Sequence, residues 1–367
     1  LSFAKLLCVL TGVAAVLAVV SVAAGASSTP LGRGNEAEFR IGLLDLGDGG
    51  LFAGAAAAID EINASRGMAE PRLQIVAIEP SSPWRDTGSL LARAVFERGL
   101  SALIGPTDGT AAHVAAQVGT KSRIPVMTLA AEDSLTEAGD PWVFRGIPGD
   151  GQQAQALLQW VFGEASGGTA AIVVPPGREG RTRGTALSEA CRRRGVSVVA
   201  VVQDFPGELE DMEDLSSLRT ADVLFLWLDP EATLRFLRRH PGIGAHTRLL
   251  GNLWLGQPEF VDRAPPAADG LALPVLLTDA TPLREALAYD MVKVLAASVR
   301  AVGPDPLEIR QELLRQRPRS GRTGEISFGP DGERAGPVRI GLLRDGELVD
   351  ADPFRRQIGD NGVPGTS

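Results

Sequence analysis

The stretch FRIGLLDLGDGGLFAGAAAAIDEINAS, residues 39–65, decides how the chain is organised. A short apolar run at 39–46 gives way to a Gly/Asp cluster, and from 52 to 65 apolar residues recur at helical spacing, so the segment reads as strand then helix. The same switch recurs downstream. Strands are expected at 73–78, 101–104 and 125–129, with helices at 86–98 and 110–122 between them, which makes one open parallel sheet. A strand at 143–145 and a Gly/Pro break at 146–151 close this unit. The alternation then restarts: helix 152–162, strand 169–174, helix 185–194, strands 196–202 and 222–227, helix 231–239 and strand 248–251. Helices at 283–302 and 306–316 and strands at 325–328 and 338–343 are too few for a third domain, and are expected to complete the two sheets already begun. The fold class is therefore α/β with two lobes, the first of residues 39–147 plus 279–325 and the second of 148–278 plus 326–350, followed by a tail at 351–367. Three crossovers, near 146–149, 274–282 and 324–329, imply a cleft with a hinge.

Composition agrees with two soluble lobes. The 367 residues suit two domains of ~100 to 200 each, and 44% hydrophobic with 22% charged residues is close to the globular average. Acidic residues outnumber basic ones, 45 to 36, giving a net charge of -9, so no basic surface is on offer to phosphates and nucleic acid is excluded as a partner. Residues 6–26 carry no charge, follow Lys5 and end in Ala24-Gly25-Ala26, which reads as a secretory signal peptide cleaved after Ala26. The uncharged run also approaches the ~20 residues that span a bilayer, so an uncleaved N-terminal anchor is the rival reading. Residues 27–38, polar and Gly-rich, read as a tether. Cys8 belongs to the apolar leader and Cys191 then has no partner, which excludes a disulfide scaffold.

Catalytic motifs are sought without success. The three histidines, His113, His240 and His246, have no ligand-like spacing, and the latter two read as solvated loop residues flanking a Pro-Gly turn. No G-x-S-x-G elbow, H-E-x-x-H or P-loop string is present. GREGRTRG at 177–184 stands between a strand and a helix, where an anion loop would stand, but its arginines equally suit a solvated turn. Glu132 and Asp133 are adjacent carboxylates, a pattern that serves acid–base chemistry or, more simply, surface and capping positions. Neither a cofactor nor a metal is implied, and the reading is a binder, not an enzyme.

Several strings then fall into one order: AIDEINASRG (58–67), LIGP (103–106), IPVMT (124–128), DPWVFRGIPGDGQQAQAL (140–157), GTALSEACRRRGVSVV (184–199), AYDMVKVLAASVRAVG (288–303), DPLEIRQELL (305–314) and GEISFGPDGER (324–334). In order and spacing they resemble the type I periplasmic solute-binding proteins, the branched-chain amino-acid-binding (leucine-binding protein-like) family of ABC transporters, over about residues 39–345. The resemblance implies two Rossmann-like lobes joined by three hinge crossovers. It also implies a small-molecule solute held between lobes that close on it, an ABC permease as partner, and a periplasmic or otherwise extracytoplasmic location. A monomer suffices for that role.

Members that bind amino acids hold the ligand carboxylate on two loops that correspond here to Thr107-Asp108-Gly109-Thr110 and Ala130-Ala131-Glu132-Asp133-Ser134. Ligand contacts are thus implied for Asp108, Gly109, Thr110, Ala131, Glu132 and Asp133, although Asp108 is equally suited to cap the helix that follows. On the other lobe the family's ammonium-binding Tyr and Glu fall near Asp229 and near Leu253 or Trp254, and neither is retained. Trp254 and Trp227 sit at expected strand ends, where an aromatic either packs on a solute or completes a core; Trp84, Trp142 and Trp160 read as structural. Asp45, Asp48, Asp108, Glu132, Asp133 and Asp229 make these loops acidic, with no Lys or Arg among 45–54, 105–112 or 127–136, so the ligand is expected to be a neutral-polar or cationic small molecule: amino-acid-like, an amide or an amine. A ligand-sensing domain of a receptor or regulator and an enzyme on the same scaffold are the competing functions.

Overall fold

The computed structural model describes residues 38–351, apart from 47–48, 69, 83–84, 138–141, 166, 205–211 and 277–280. The expected leader, residues 27–37 of the tether, Asp48, Trp84 and the tail beyond 351 lie outside them. Glu38, assigned above to the tether, is instead the first residue of a strand. From there the chain runs β1 (Glu38–Leu44), α1 (Gly50–Ser65), β2 (Arg72–Ile78), α2 (Thr87–Arg98), β3 (Ala102–Ile104), α3 (Gly109–Ser122), β4 (Val126–Thr128), a short α4 (Ser134–Glu137) and β5 (Val143–Arg145). The five strands form a parallel sheet in the order β2-β1-β3-β4-β5. Strands covered on both faces read as near-continuous apolar runs, which is why they are visible in the sequence.

The second unit continues with α5 (Asp150–Phe162), β6 (Thr169–Val174), α6 (Gly177–Arg193), β7 (Ser197–Gln203), α7 (Met212–Thr220), β8 (Val223–Leu226), α8 (Pro230–Arg239), β9 (Arg248–Gly251), α9 (Pro258–Val261) and β10 (Ala272–Val275). It is followed by α10 (Leu283–Val302), α11 (Pro306–Leu313), β11 (Arg319–Gly321), β12 (Gly324–Ile326), β13 (Arg339–Arg344) and β14 (Glu347–Asp350). Its sheet has the order β14-β13-β10-β9-β8-β6-β7, parallel from β7 to β10, with β13 and β14 antiparallel at one edge. β13 and β14 therefore complete the second sheet as expected. β11 and β12 do not extend either sheet; they pair with each other as a separate antiparallel hairpin.

Each sheet is buried by helices on both sides. Phe39, Ile41 and Leu43 pack with Leu51, Ala55 and Ile62 of α1 and with Leu287, Met291 and Leu295 of α10, while Leu44, Leu103 and Val126 face Leu91, Ala111 and Ala115 of α2 and α3. Helix α10 thus returns to the first sheet. Its approach to α1 requires Gly54, where an added Cβ would lie 1.9 Å from the Glu285 carbonyl oxygen. In the second unit Ile172, Val174, Phe225 and Trp227 pack under Leu157, Leu187 and Cys191 on one side; Val173, Leu224 and Leu226 meet Leu234 and Phe236 on the other. Each buried Leu, Ile, Val, Phe or Met among them contributes roughly 1.5–3 kcal/mol through burial. Among the described residues no helix is long and apolar enough to cross a membrane.

The segment 177–184 differs most from expectation. It is no turn but the first two turns of α6. Gly180 and Gly184 lie on the buried face, and at Gly180 a Cβ would stand 1.6 Å from the Pro175 carbonyl oxygen, so glycine there permits the helix to lie against the strand it leaves.

Candidate functional site

In both sheets the strand order reverses once, between β1 and β3 and between β6 and β8, and it is outside the carboxyl ends of strands at such points that open α/β sheets bind ligands. A cavity of about 480 Å³ lies there, lined from the first unit by Gly50 and Thr107, from the second by Arg183, Asp229, Asn252 and Trp254, and from the start of α10 by Arg284 and Glu285. Its size falls in the range that takes one small molecule, roughly 300–1,000 Å³. A second cavity of about 330 Å³ lies between the segment around Val275 and the β13–β14 edge. It has no strand-end loop of the first sheet in its wall, so we place the site in the larger one.

Trp254 forms the aromatic wall. It follows β9 in a single 3₁₀ turn (Leu253–Gly256), and Asn252 sets that turn: its Oδ1 accepts from the Trp254 backbone N–H at 3.0 Å and its Nδ2 donates to the Leu228 carbonyl at 2.8 Å. The Arg284 guanidinium lies 5.2 Å from the Trp254 ring centroid, within cation–π range, and donates to Thr107 Oγ1 at 3.3 Å. Arg284 thereby joins the loop after β3 to the loop after β9. Arg183 pairs with Glu179 at 2.7 Å and donates to the Trp227 carbonyl at 3.3 Å. Asp229 lines the cavity while capping α8, accepting from the Ala232 N–H at 2.8 Å. Trp227 is fully buried and donates from Nε1 to Asp150 at 2.7 Å, which makes it core.

The two loops expected to contact a ligand carboxylate behave differently from each other. Asp108 caps α3, accepting from the Ala111 N–H at 2.7 Å, while Gly109 and Thr110 are the first residues of that helix. Glu132, read above as a surface or capping acid, is only 7% exposed. It accepts from His113 Nε2 at 2.7 Å, from Ser134 Oγ at 2.8 Å, and from both terminal nitrogens of Arg178 at 2.6 and 3.0 Å. Burial alone would raise this carboxyl; the bonds from His113, Arg178 and Ser134 outweigh it and hold it at about 2. Ala131 and Asp133 turn instead toward the first crossover. The Ala131 carbonyl accepts from the Asp150 N–H and from fully buried Arg145, Asp133 accepts from the Gly151 N–H, and Glu333 pairs with Arg145 at 2.8 Å.

Of the expected site residues, the structure therefore brings Asp229 and Trp254 together on the cavity wall. It leaves Asp108, Gly109, Thr110, Ala131, Glu132 and Asp133 off that wall. The charge inferred from loop sequence is also incomplete, because Arg178, Arg183 and Arg284 arrive from elsewhere in the chain to stand against the acidic loops. The missed positions had one readable signal: Glu179 and Arg183 are spaced i, i+4, with Gly180, Gly184, Leu187 and Cys191 forming a buried stripe of helical period. His240, expected in solvent, is 5% exposed and packs 4.8 Å from the Phe236 ring. Among the described residues no group of three or more His, Cys, Asp or Glu is arranged to hold a metal.

Comparison with known proteins places this geometry. No curated protein matches the sequence. The fold is shared with LivJ, a branched-chain amino acid transporter substrate-binding protein from Streptococcus pneumoniae solved with isoleucine: 19% identity, 85% of this chain and 97% of that one, TM-score 0.70. It is shared equally with an ABC transporter substrate-binding protein from Desulfitobacterium hafniense in complex with Leu, at 20% identity, 85% and 99% coverage and a TM-score of 0.71. A solute-binding protein from R. palustris in complex with benzoate is similar at 17% identity, 85% and 95% coverage and a TM-score of 0.70. The sequence model of the periplasmic binding proteins matches residues 42–294, most of the folded chain. This chain, with its two α/β units of the type I fold, belongs to the periplasmic binding protein family.

Proposed function

We propose that this protein is the extracytoplasmic solute-binding component of an ABC importer, holding a small polar ligand between a lobe of residues 39–147 plus 279–325 and a lobe of 148–278 plus 326–350. The observation that carries the reading is the cavity of about 480 Å³ whose wall draws on both sheets and on the start of α10. Ligand that touches both walls stabilises the arrangement in which the walls are close, and that differential affinity is what couples binding to hinge closure and to recognition by a permease.

Asp229, Glu259 and Glu285 set against Arg183 and Arg284 make a wall of mixed sign, suited to a dipolar or hydrogen-bonding solute. Trp254 offers a flat face for its apolar part. An amide or amine with a short apolar body meets these demands. Free branched-chain amino acids are disfavoured, because the family resemblance puts an ammonium-binding Tyr and Glu near Asp229 and near Leu253 or Trp254, and neither is retained. A thermal-shift screen over amides, amines and their matched acids tests the reading, since a ligand at 100 times its Kd stabilises by about 2.7 kcal/mol. Tight binding of leucine or of a dicarboxylate in preference to the matched amides would overturn the ligand class.

A further inference from the structure

Glu132 gathers donors from three places that the sequence holds far apart. His113 comes from the first turns of α3, Ser134 from the start of α4, and Arg178 from the first turn of α6, which follows a strand of the other sheet. Glu132 Oε2 also stands so close to the Cα of Gly109 that a Cβ there would lie 2.5 Å from it. The first lobe therefore presents a nearly enclosed seat for one carboxylate, in which Glu132 is only 7% exposed. The seat's remaining partner, Arg178, reaches over from the second lobe and keeps its side chain 43% exposed.

We infer that Glu132 is a built-in anion at the junction of the lobes: off the wall of the Trp254 cavity, its carboxylate clasps the second lobe through Arg178, holding the lobes together without a ligand carboxylate and barring a free carboxylate from this seat. The clasp does not depend on which solute the cavity takes. A side chain tethered in the seat needs no capture from solution, so a free carboxylate competes with a group at far higher effective concentration. It also meets a seat already filled. Displacing Glu132 would leave either Arg178 or the displaced carboxylate without its bidentate partner, which is costly for groups withdrawn from water.

The test uses no solute, so its outcome is independent of whether the ligand is found. Spin labels at exposed Arg93 on α2 and exposed Arg235 on α8 report the distance between lobes. Glu132→Ala removes the anion, and Arg178→Ala removes the partner from an exposed position that folding tolerates. In both, the ratio of near to far distances should fall about fivefold, a modest factor because solvent screens the arginine half of the pair. Acetate should then restore the near population of Glu132→Ala and leave Arg178→Ala unchanged, with acetamide as the uncharged control. Unchanged distance distributions in a folded Arg178→Ala would overturn the clasp, as would rescue of Glu132→Ala by acetamide as effectively as by acetate.

Discussion

Replacing Asp150 by Asn should stabilise the protein at neutral pH, because the fold holds this carboxylate where it prefers to be neutral. Asp150 opens α5, is 2% exposed and accepts the Trp227 Nε1–H at 2.7 Å. Burial pushes its carboxyl from 3.8 up to about 6, opposed by Arg183 and the Trp227 bond and reinforced by nearby Asp133. Since the folded value is raised, the group's favourable contribution is complete below 3.8 and is lost as pH rises through about 6. At pH 7.5 the folded state carries the full penalty, about 3 kcal/mol for a gap of that size. Asn keeps an oxygen for Trp227 but gives up the charge at the helix start, which costs ~0.3–1 kcal/mol. A net gain of about 2 kcal/mol remains, equivalent to roughly 4 °C in Tm for a protein of this size. Calorimetric melts at pH 7.5 and pH 4 should show that gain at the higher pH and none at the lower. An Asn variant less stable than the parent at pH 7.5, or a Tm difference equal at the two pH values, would refute the reasoning.

Other substitutions test the packing and the cavity, and sequencing tests the leader. Gly54→Ala should destabilise by about 1–3 kcal/mol, because its Cβ must push apart the backbones of α1 and α10, whereas Gly88→Ala, where the nearest atom stands 3.5 Å away, should stabilise α2 by about 0.5–1 kcal/mol; urea denaturation reads both. Trp254→Ala should weaken solute binding at least tenfold at a smaller cost in stability than Trp227→Ala, which should lose about 3–5 kcal/mol, because Trp254 is only partly buried against the core and Trp227 is fully buried. Secreted protein should begin near Ser27 on N-terminal sequencing, and recovery of a chain containing Lys5 from the membrane fraction would favour the uncleaved anchor.

Much of the scaffold was readable because parallel strands buried on both faces leave apolar runs between amphipathic helices. Where the structure departs from that reading, local signals conflicted with tertiary demands. β10 contains Pro274, which argues against an interior strand, yet its parallel pairing with β9 extends only to Ala272, and opposite Ile340 of β13 it falls between the hydrogen-bonded antiparallel pairs, so no neighbour needs the missing N–H. Three glycines and three arginines made 177–184 look like a turn, although Gly180 and Gly184 let a helix lie close on β6 and β7 respectively. Of the residues expected at the site, Asp229 and Trp254 line the cavity, whereas those at 108–110 and 131–133 do not. The setting of Glu132 was not legible, because its ion partners lie 19 and 46 residues away in the chain and no local pattern links them. Asp108 illustrates the opposite case, in which the capping role written into the sequence is the one the fold uses.

A solute that closes two lobes over the Trp254 cavity is the central step of the proposed function. The most direct measurement titrates the best amide or amine from the screen into protein labelled at Arg93 and Arg235, following the interlobe distance alongside binding heat. The account predicts that the distance shortens and saturates at the calorimetric Kd, and that Trp254→Ala shifts both curves together. Saturating heat with an unaltered distance and an unaltered radius of gyration would contradict it.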